Sequence, residues 1–547
     1  MGMLSMKIKW IFLFCLLYHF FAFSDTMPKV RESIEVSARK AGKKNEVYID
    51  KKLIEHLSIN SNQELLSLFP SVFLSVRGAN GIQGDISISG SRGSQVGVRI
   101  MGVPLNNLQT YHHNLDIPLA PEDISYVSVE SSASANITPY SFAGNIDFEV
   151  GDNKKEFNHL AYGSNDYYHI YARENGLSYM FEGSSGYVEN SKYNKSNVTY
   201  QFDYKGVKFF TAFNSKHFDA KDFYAPYPSY ERTQTSLLIA RYGETKFYTV
   251  RHYDIFTLDK NNPDLFRNIT ETYKSGVIHN LETKIGSFRL NIEFNSMDSI
   301  VMEKHSITTS VLNYSKMFNL FKSDLKAGVN LYSATNRGKY ILPFVSIKRK
   351  IMPFDVLFEF SESVRVPDFT ELYYSSPVNI GNEFLKEERS KNFQFTLNYK
   401  IISTAFFYRK EKNIIDWVRE GDMWKAENIG ESDVYGVDLS FKYRNFTFGY
   451  EHLHRDNIEY ETKYSYYYPK SKLKIIYKGK DITFDYSYLD INNLNKASVL
   501  NITFWGVGFY LKILNAFDED YQTYPGIPMP GRVVIFGYRM RGPLIPD

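Results

Sequence analysis

The run Tyr200-Gln201-Phe202-Asp203-Tyr204-Lys205 alternates aromatic with polar side chains, then turns at Gly206 into VKFFTAF. Alternation of period two places successive side chains on opposite faces of a β-strand. The pattern recurs down the chain. VDLSFKY and FTFGYEHL flank Arg444-Asn445, and KLKIIY and ITFDYSYL flank a compact turn from Lys478 to Asp481. A soluble β-sandwich is the competing reading, but roughly 390 residues of repeated hairpins exceed what one such domain uses. Closing the sheet removes the open edges that a bilayer excludes, with one residue set on lipid and the other in the lumen.

The start of the chain fits that destination. Lys7 and Lys9 precede the apolar run IFLFCLLYHFFAF, and Ala22 and Ser24 supply small residues at positions −3 and −1 of a cleavage site. This is the layout of a secretory signal peptide over residues 1–24, and the run is too short for a permanent membrane helix. Cys15 is the single cysteine and lies inside that run, so the mature chain is expected to hold no disulfide. Losing Lys7 and Lys9 brings the formal charge of +3 to near +1, which gives no reason to expect a nucleic-acid partner. The aromatic load says more: 43 Tyr and 42 Phe at a mean hydropathy of −0.35 suit outer-membrane β-structure. Transmembrane strands need about 9–11 residues each. About 22 strands fit with compact connections, and about 16 with longer loops fit the periodicity equally.

Ahead of the hairpins, from Ile54 to Val150, the grammar is that of a small α+β domain. Asn60-Ser61-Asn62-Gln63 leads into ELLSLFP, a capped short helix stopped by Pro70. The strand candidates VFLSV, DISIS, QVGVRI and DISYVSVE come next, with glycines between or within them. Gly90, Gly93, Gly97 and Gly102 do not form G-x-G-x-x-G, and no Lys-Ser/Thr comes after them, so phosphate binding is not expected. HEXXH, Walker A and G-x-S-x-G patterns are all absent, and the chain is not expected to be an enzyme.

Four segments then come in one order: SLFPSVFL, ISISGSRGSQVGVRIMGVPLNN, DISYVSVESSASANITPYS and FAGNIDFEV. Further on stand FSESVRVPDFTELYY from Phe360, AENIGESDVYGVDLSF, and LKILNAFDEDYQTYPGIPMPGRVVIFGY near the end. This series resembles the plug and barrel motifs of the TonB-dependent outer-membrane transporter family, somewhat like its compact cobalamin transporters, over nearly all of the mature chain. Ser89 stands where the family's I-R-G carries arginine, Met101 where its D-G carries an acid, and Asn145 at the second glycine of G-G. The chain also runs on past Tyr538, whereas such barrels usually finish on an aromatic residue.

The resemblance implies an all-β transmembrane barrel of about 22 antiparallel strands, residues 151–538, with an N-terminal α+β plug, residues 54–150, inside its lumen. A periplasmic segment spans residues 25–53 and a tail residues 539–547. The implied function is active import of a scarce, bulky nutrient of the cobalamin, ferric siderophore or haem class across the bacterial outer membrane. A passive channel, or a surface receptor that kept the architecture, is the alternative. The implied partners are TonB with its inner-membrane energising complex, outer-membrane lipid and lipopolysaccharide, and the nutrient itself, for a monomeric barrel. Glu32, Ser33, Ile34, Glu35, Val36, Ser37 and Ala38 alternate polar with apolar residues and are the candidate TonB-coupling strand. Asn106, Asn107, Gln109, Tyr111, His112 and His113 form the expected plug apex that meets ligand. No resident cofactor is expected beyond a transported metal chelate or cobalamin. The His112-His113 pair offers metal ligands, although two side chains do not make a coordination shell. Asp518-Glu519-Asp520 is open to calcium or to a plain turn.

Overall fold

A computed structural model describes residues 46–130, 138–151, 155–456, 460–464 and 467–540. The signal run, the candidate coupling strand Glu32 to Ala38, and the last seven residues lie outside these.

Among the described residues, 22 antiparallel strands close into a barrel. The first, Phe157–Gly163, pairs with the last, Val533–Met540, through Leu160 and Tyr538. The alternation seen in sequence is physical inside and outside. In the strand Val207–Asp219, the residues Phe210, Ala212, Asn214, Lys216 and Phe218 are buried in the lumen, while their neighbours are more exposed. Outward aromatics stack across strands near the tight turns, as with Phe202 on Phe209 (4.8 Å) and Phe446 on Tyr477 (4.8 Å). Such rings form the interfacial girdle of membrane barrels. One end carries tight turns such as Lys205-Gly206 and Arg444-Asn445; the other carries long loops such as residues 366–387 and 413–430. Barrels of this kind place short turns in the periplasm and long loops outside.

The lumen holds a mixed five-stranded sheet in the order Glu46–Asp50, Ile124–Glu130, Asn145–Val150, Gly97–Ile100, Val103–Pro104. Its edge strand begins at Glu46, ahead of the Ile54 boundary expected for the plug. The capped helix forms at Asn62–Ser67, where Ser61 Oγ accepts from the Glu64 amide (3.1 Å). The sheet's apolar core, including Val98, Val127, Ile146 and Phe148, continues into inward residues of the wall such as Phe210, Leu237 and Ile278. Plug and barrel therefore share one hydrophobic core along that side.

Two of the three departures from the plug motif, Ser89 and Met101, sit at tight turns, and Asn145 begins the strand Asn145–Val150. Ser89-Gly90 and Met101-Gly102 all have positive φ: 43°, 72°, 52° and 74°. Two consecutive positive φ values are what a type I′ hairpin turn demands, and Asn or Asp suits the first position best. Met101 occupies it with an ordinary side chain, and Gly102 relieves only the second residue.

Candidate functional site

The hairpin at Met101-Gly102 launches residues 105–116 toward the long-loop end, and two asparagines shape this apex loop. Asn106 Oδ1 accepts from the Val98 amide (2.9 Å) and its Nδ2 donates to the Val96 carbonyl (2.7 Å). Asn107 Oδ1 accepts from the Gln109 amide (2.7 Å), while the Asn107 amide donates to Asn114 Oδ1 (2.9 Å). Both residues are spent on the loop's own fold, and neither lines the main cavity above it. The barrel loop carrying Phe369–Tyr373 clasps the same apex. The amides of Phe369 and Thr370 donate to the carbonyls of Leu108 (2.8 Å) and Gln109 (2.9 Å).

Above this clasp lies a cavity of about 900 Å³, its open mouth included. Gln109, Tyr111, His112 and His113 contribute from the plug. The barrel supplies rings from Tyr224, Phe256, Phe266, Tyr374, Trp417 and Tyr464, and charged groups from Glu231, Asp254 and Lys463. Tyr111 meets Tyr464 edge to face at 5.8 Å, and His112 stands 5.3 Å from Tyr464 and 5.8 Å from Tyr224. Rigid aromatic surface with a few placed polar groups is the chemistry of holding a small molecule.

The polar groups beneath the rings are paired. His112 Nδ1 contacts Asp85 Oδ1 at 2.7 Å, and Arg77 Nη2 donates to Asp85 Oδ2 at 2.7 Å. Burial alone would raise the Asp85 carboxyl, but the guanidinium and imidazole outweigh it and hold the group well below the usual carboxylate range. Burial lowers His112 below an ordinary imidazole despite Asp85 beside it. For His113, burial also opposes charge, yet Asp116 and Asp254 override it and raise the imidazole to about 10. Lys463 is pushed down to about 8 by burial, with Arg77 adding to the effect and Asp416 opposing it.

Where the family motif's arginine is absent at Ser89, the plug is held by other groups. Arg92, three residues on, pairs with Glu388 and lies 3.7 Å from Asp416. Arg409 and Arg455 of the wall, themselves paired to Glu411 at 2.7 and 2.9 Å, donate to the carbonyls of Ser89 (3.1 Å) and Gly90 (2.7 Å). Arg365 binds Glu371 (2.8 Å) and Glu388, so the FSESVRVPDFTELYY motif is the anchor of the clasping loop. The cluster Asp518-Glu519-Asp520 lies in a turn organised by Asn515, with Asp518 Oδ1 accepting from the Arg532 amide (2.6 Å).

Of the six residues expected at the apex, Gln109, Tyr111, His112 and His113 line one cavity, whereas Asn106 and Asn107 do not reach it. Lys463, Tyr464 and Phe266 escaped sequence reasoning because they sit on loops with no periodicity, while Trp417 lies in the short loop strand Ile415–Glu420 and Phe256 near the end of a wall strand. His252 escaped it too, although a signal existed. Tyr248, Val250, His252 and Asp254 are the buried set of the strand Thr245–Thr257, so the alternation alone directs that histidine into the lumen.

The architecture and sequence both have relatives. Residues 38–144 match the TonB-dependent receptor plug domain, and residues 103–535 match the TonB-dependent receptor-like β-barrel. Among solved structures, the FrpB iron transporter of Neisseria meningitidis superposes with a TM-score of 0.70 at 12% identity, over 91% of this chain and 99% of that one. The siderophore receptor PirA of Acinetobacter baumannii gives 0.64 at 12% identity over 91% and 98%. A ferric enterobactin receptor (PfeA) variant of Pseudomonas aeruginosa gives 0.66 at 11% identity over 91% and 98%. With a barrel match over most of its length, a plug match toward its N-terminal side and a closed 22-strand barrel around the plug, the chain belongs to the TonB-dependent receptor family of the bacterial outer membrane.

Proposed function

We propose that this receptor imports a scarce metal chelate of the siderophore class, captured in the aromatic cavity over the plug apex and released inward by work delivered through TonB. The observation that carries this reading is the cavity itself, floored by the plug and walled by the barrel loops. A ligand seated there touches both bodies, so its binding and the state of the plug are linked. The similar solved structures named for siderophores and iron support a chelate over cobalamin or haem. The lining adds a constraint on charge. Four carboxylates line the cavity, Glu231, Asp254, Asp368 and Glu371, the last paired with Arg365, against one lysine, Lys463, so the pocket suits a chelate of low net negative charge better than a strongly anionic one.

An energised route also fits the packing. The plug shares its core with one side of the wall and is latched by Arg92 to Glu388, contacts that a bulky solute would have to displace to pass. We assign the coupling strand to Glu32 through Ala38. Deleting these seven residues is expected to abolish uptake of a radiolabelled ferric chelate by cells lacking other receptors, while surface binding of the same chelate persists. Uptake at the full rate by the deletion variant would overturn energised import in favour of a passive channel.

A further inference from the structure

Just below the main cavity, a smaller one of about 480 Å³ is lined by His113 and Asp116 of the plug and by Thr235 and His252 of the wall. Three buried heteroatoms converge there with no hydrogen-bond partner among the described residues: His113 Nδ1, Asp116 Oδ2 and His252 Nε2. His113 Nδ1 lies 3.4 Å from Asp116 Oδ2, and His252 Nε2 lies 4.0 Å from the same oxygen. All three fall within 4.8 Å of one another. Ligand atoms around a tetrahedral zinc ion, at about 2.0–2.2 Å from the metal, stand roughly 3.3 Å apart. Reaching that geometry takes a closure of about 0.1 Å between His113 and Asp116 and about 0.7 Å between His252 and Asp116 by rotamer adjustment.

We propose that these three side chains form a binding site for a divalent transition-metal ion of the zinc class, two imidazoles and one carboxylate, joining plug to barrel. The outer contacts of the three ligands are those of a metal site. His113 turns its other nitrogen, Nε2, toward Asp254 Oδ2 at 3.7 Å. His252 fixes its other nitrogen, Nδ1, on Thr235 Oγ1 at 3.0 Å. Asp116 gives its second oxygen to Lys216, whose ammonium also donates to the Ile82 carbonyl (2.8 Å). Thr235 and Lys216 thereby fix the His252 ring and the Asp116 carboxylate, and the inward atoms are left to the ion. Leaving His252 Nε2 buried without a hydrogen bond, beside a His113–Asp116 contact that lacks hydrogen-bond geometry, is unfavourable, and an ion removes that cost. The imidazoles select borderline ions such as Zn²⁺, Ni²⁺ or Co²⁺ over Ca²⁺ and Mg²⁺, which prefer oxygen. The way in is also present. Glu231 and Asp254 line the main cavity and, with His113, make a second metal-capable group that shares this imidazole.

The nearest competitor in the molecule is Glu122 with His159 and His169, which also groups metal-ligating atoms. There every ring nitrogen already meets a carboxylate or a phenol, so no imidazole is left to ligate an ion, and only Glu122 Oε2 lacks a hydrogen bond among the described residues.

The test uses the full-length mature protein in detergent, stripped by chelator and titrated with Zn²⁺ and Co²⁺ in the absence of any siderophore. One ion per chain is expected, with cobalt ligand-field bands of a nitrogen- and oxygen-ligated site and no competition from Mg²⁺. His252→Ala lowers the affinity at least about 100-fold, and Thr235→Val, which keeps all three ligands, lowers it about 10- to 100-fold. His159→Ala leaves the affinity as it was. Zinc also raises the temperature at which the plug melts in the wild type, and not in His252→Ala. No stoichiometric binding, or binding unchanged in both His252→Ala and Thr235→Val, overturns the site, as does loss of the ion in His159→Ala. None of these readouts uses chelate uptake, so failure here leaves the import reading standing, and the reverse.

Discussion

The plug meets the barrel wall in two contrasting ways. Toward the periplasmic side, Glu122 Oε1 accepts from His159 Nδ1 (2.5 Å) and His169 Nε2 (3.0 Å), His159 Nε2 meets Tyr510 Oη (2.7 Å), and His169 Nδ1 meets Glu182 Oε2 (3.3 Å). Beside it, Tyr171 and Ser178 donate to Asp123 at 2.7 and 3.0 Å. Toward the outside, the histidines and carboxylates of the apex stand as near to one another, yet several of their inward atoms have no hydrogen bond among the described residues. The residue types are the same. In the lower set every ring nitrogen is taken up by the protein itself, and the set holds the plug in place. The upper set is left for something that arrives from solution.

The sharpest way to break this contrast is Glu122→Ala. Removing the shared acceptor leaves two buried imidazoles uncompensated and is expected to cost about 3–5 kcal/mol of plug stability. In metal-free buffer, His113→Ala is expected to cost less, about 1–3 kcal/mol, because its contact to Asp116 lacks hydrogen-bond geometry and the two carboxylates it leaves keep Lys216 and Gln109 as partners. Urea unfolding of the purified protein, followed by a probe on the plug, measures both. Equal losses would erase the distinction between a holding end and a receiving end.

A smaller effect is expected from Tyr464→Ala in the cavity. It deletes a ring face against Tyr111 and the hydroxyl 3.2 Å from His112 Nε2. Affinity for the chelate should fall about tenfold, corresponding to roughly 1.4 kcal/mol, with unfolding unchanged. Equilibrium binding of a chelate at several concentrations checks it; a stability loss without a binding loss would assign Tyr464 to the holding set.

The mildest effect is one of pH. Lys463 titrates near 8, below the ordinary lysine value, because burial and Arg77 disfavour its charge more than Asp416 favours it. Below that pH the ammonium is present and attracts a negatively charged chelate; as pH rises through 8 it is lost, and binding weakens. For stability the sign is opposite. The folded form carries the cost of a buried charge below pH 8, and that cost is relieved between about 8 and the unfolded value near 10.4. Lys463→Met is expected to remove the step in the binding profile between pH 7 and 9, and a step that survives would place the titrating group elsewhere.

Much of this was legible in the chain. The barrel could be read from strands such as Val207–Asp219 because the lumen and the bilayer impose opposite polarity on alternate residues. The apex could be placed because the glycine-punctuated strands before Asn106 end in a polar loop. The split within that loop was not legible. Asn106 and Asn107 are as polar as Gln109, and only their bonds to Val98, Val96 and Gln109 show that they are spent on the backbone. The plug latch was hidden for a related reason. Ser89 breaks the family motif, and nothing local says that Arg92 reaches a glutamate 296 positions away.

The sequence by itself determined the plugged barrel and its membrane address, since both come from periodicity and ordered motifs that act over a few residues at a time. The cavity, the latch and the metal-ready triad were decided by tertiary structure alone. His113 and His252 are far apart along the chain, and only closure of the barrel around the plug turns their nitrogens toward one carboxylate.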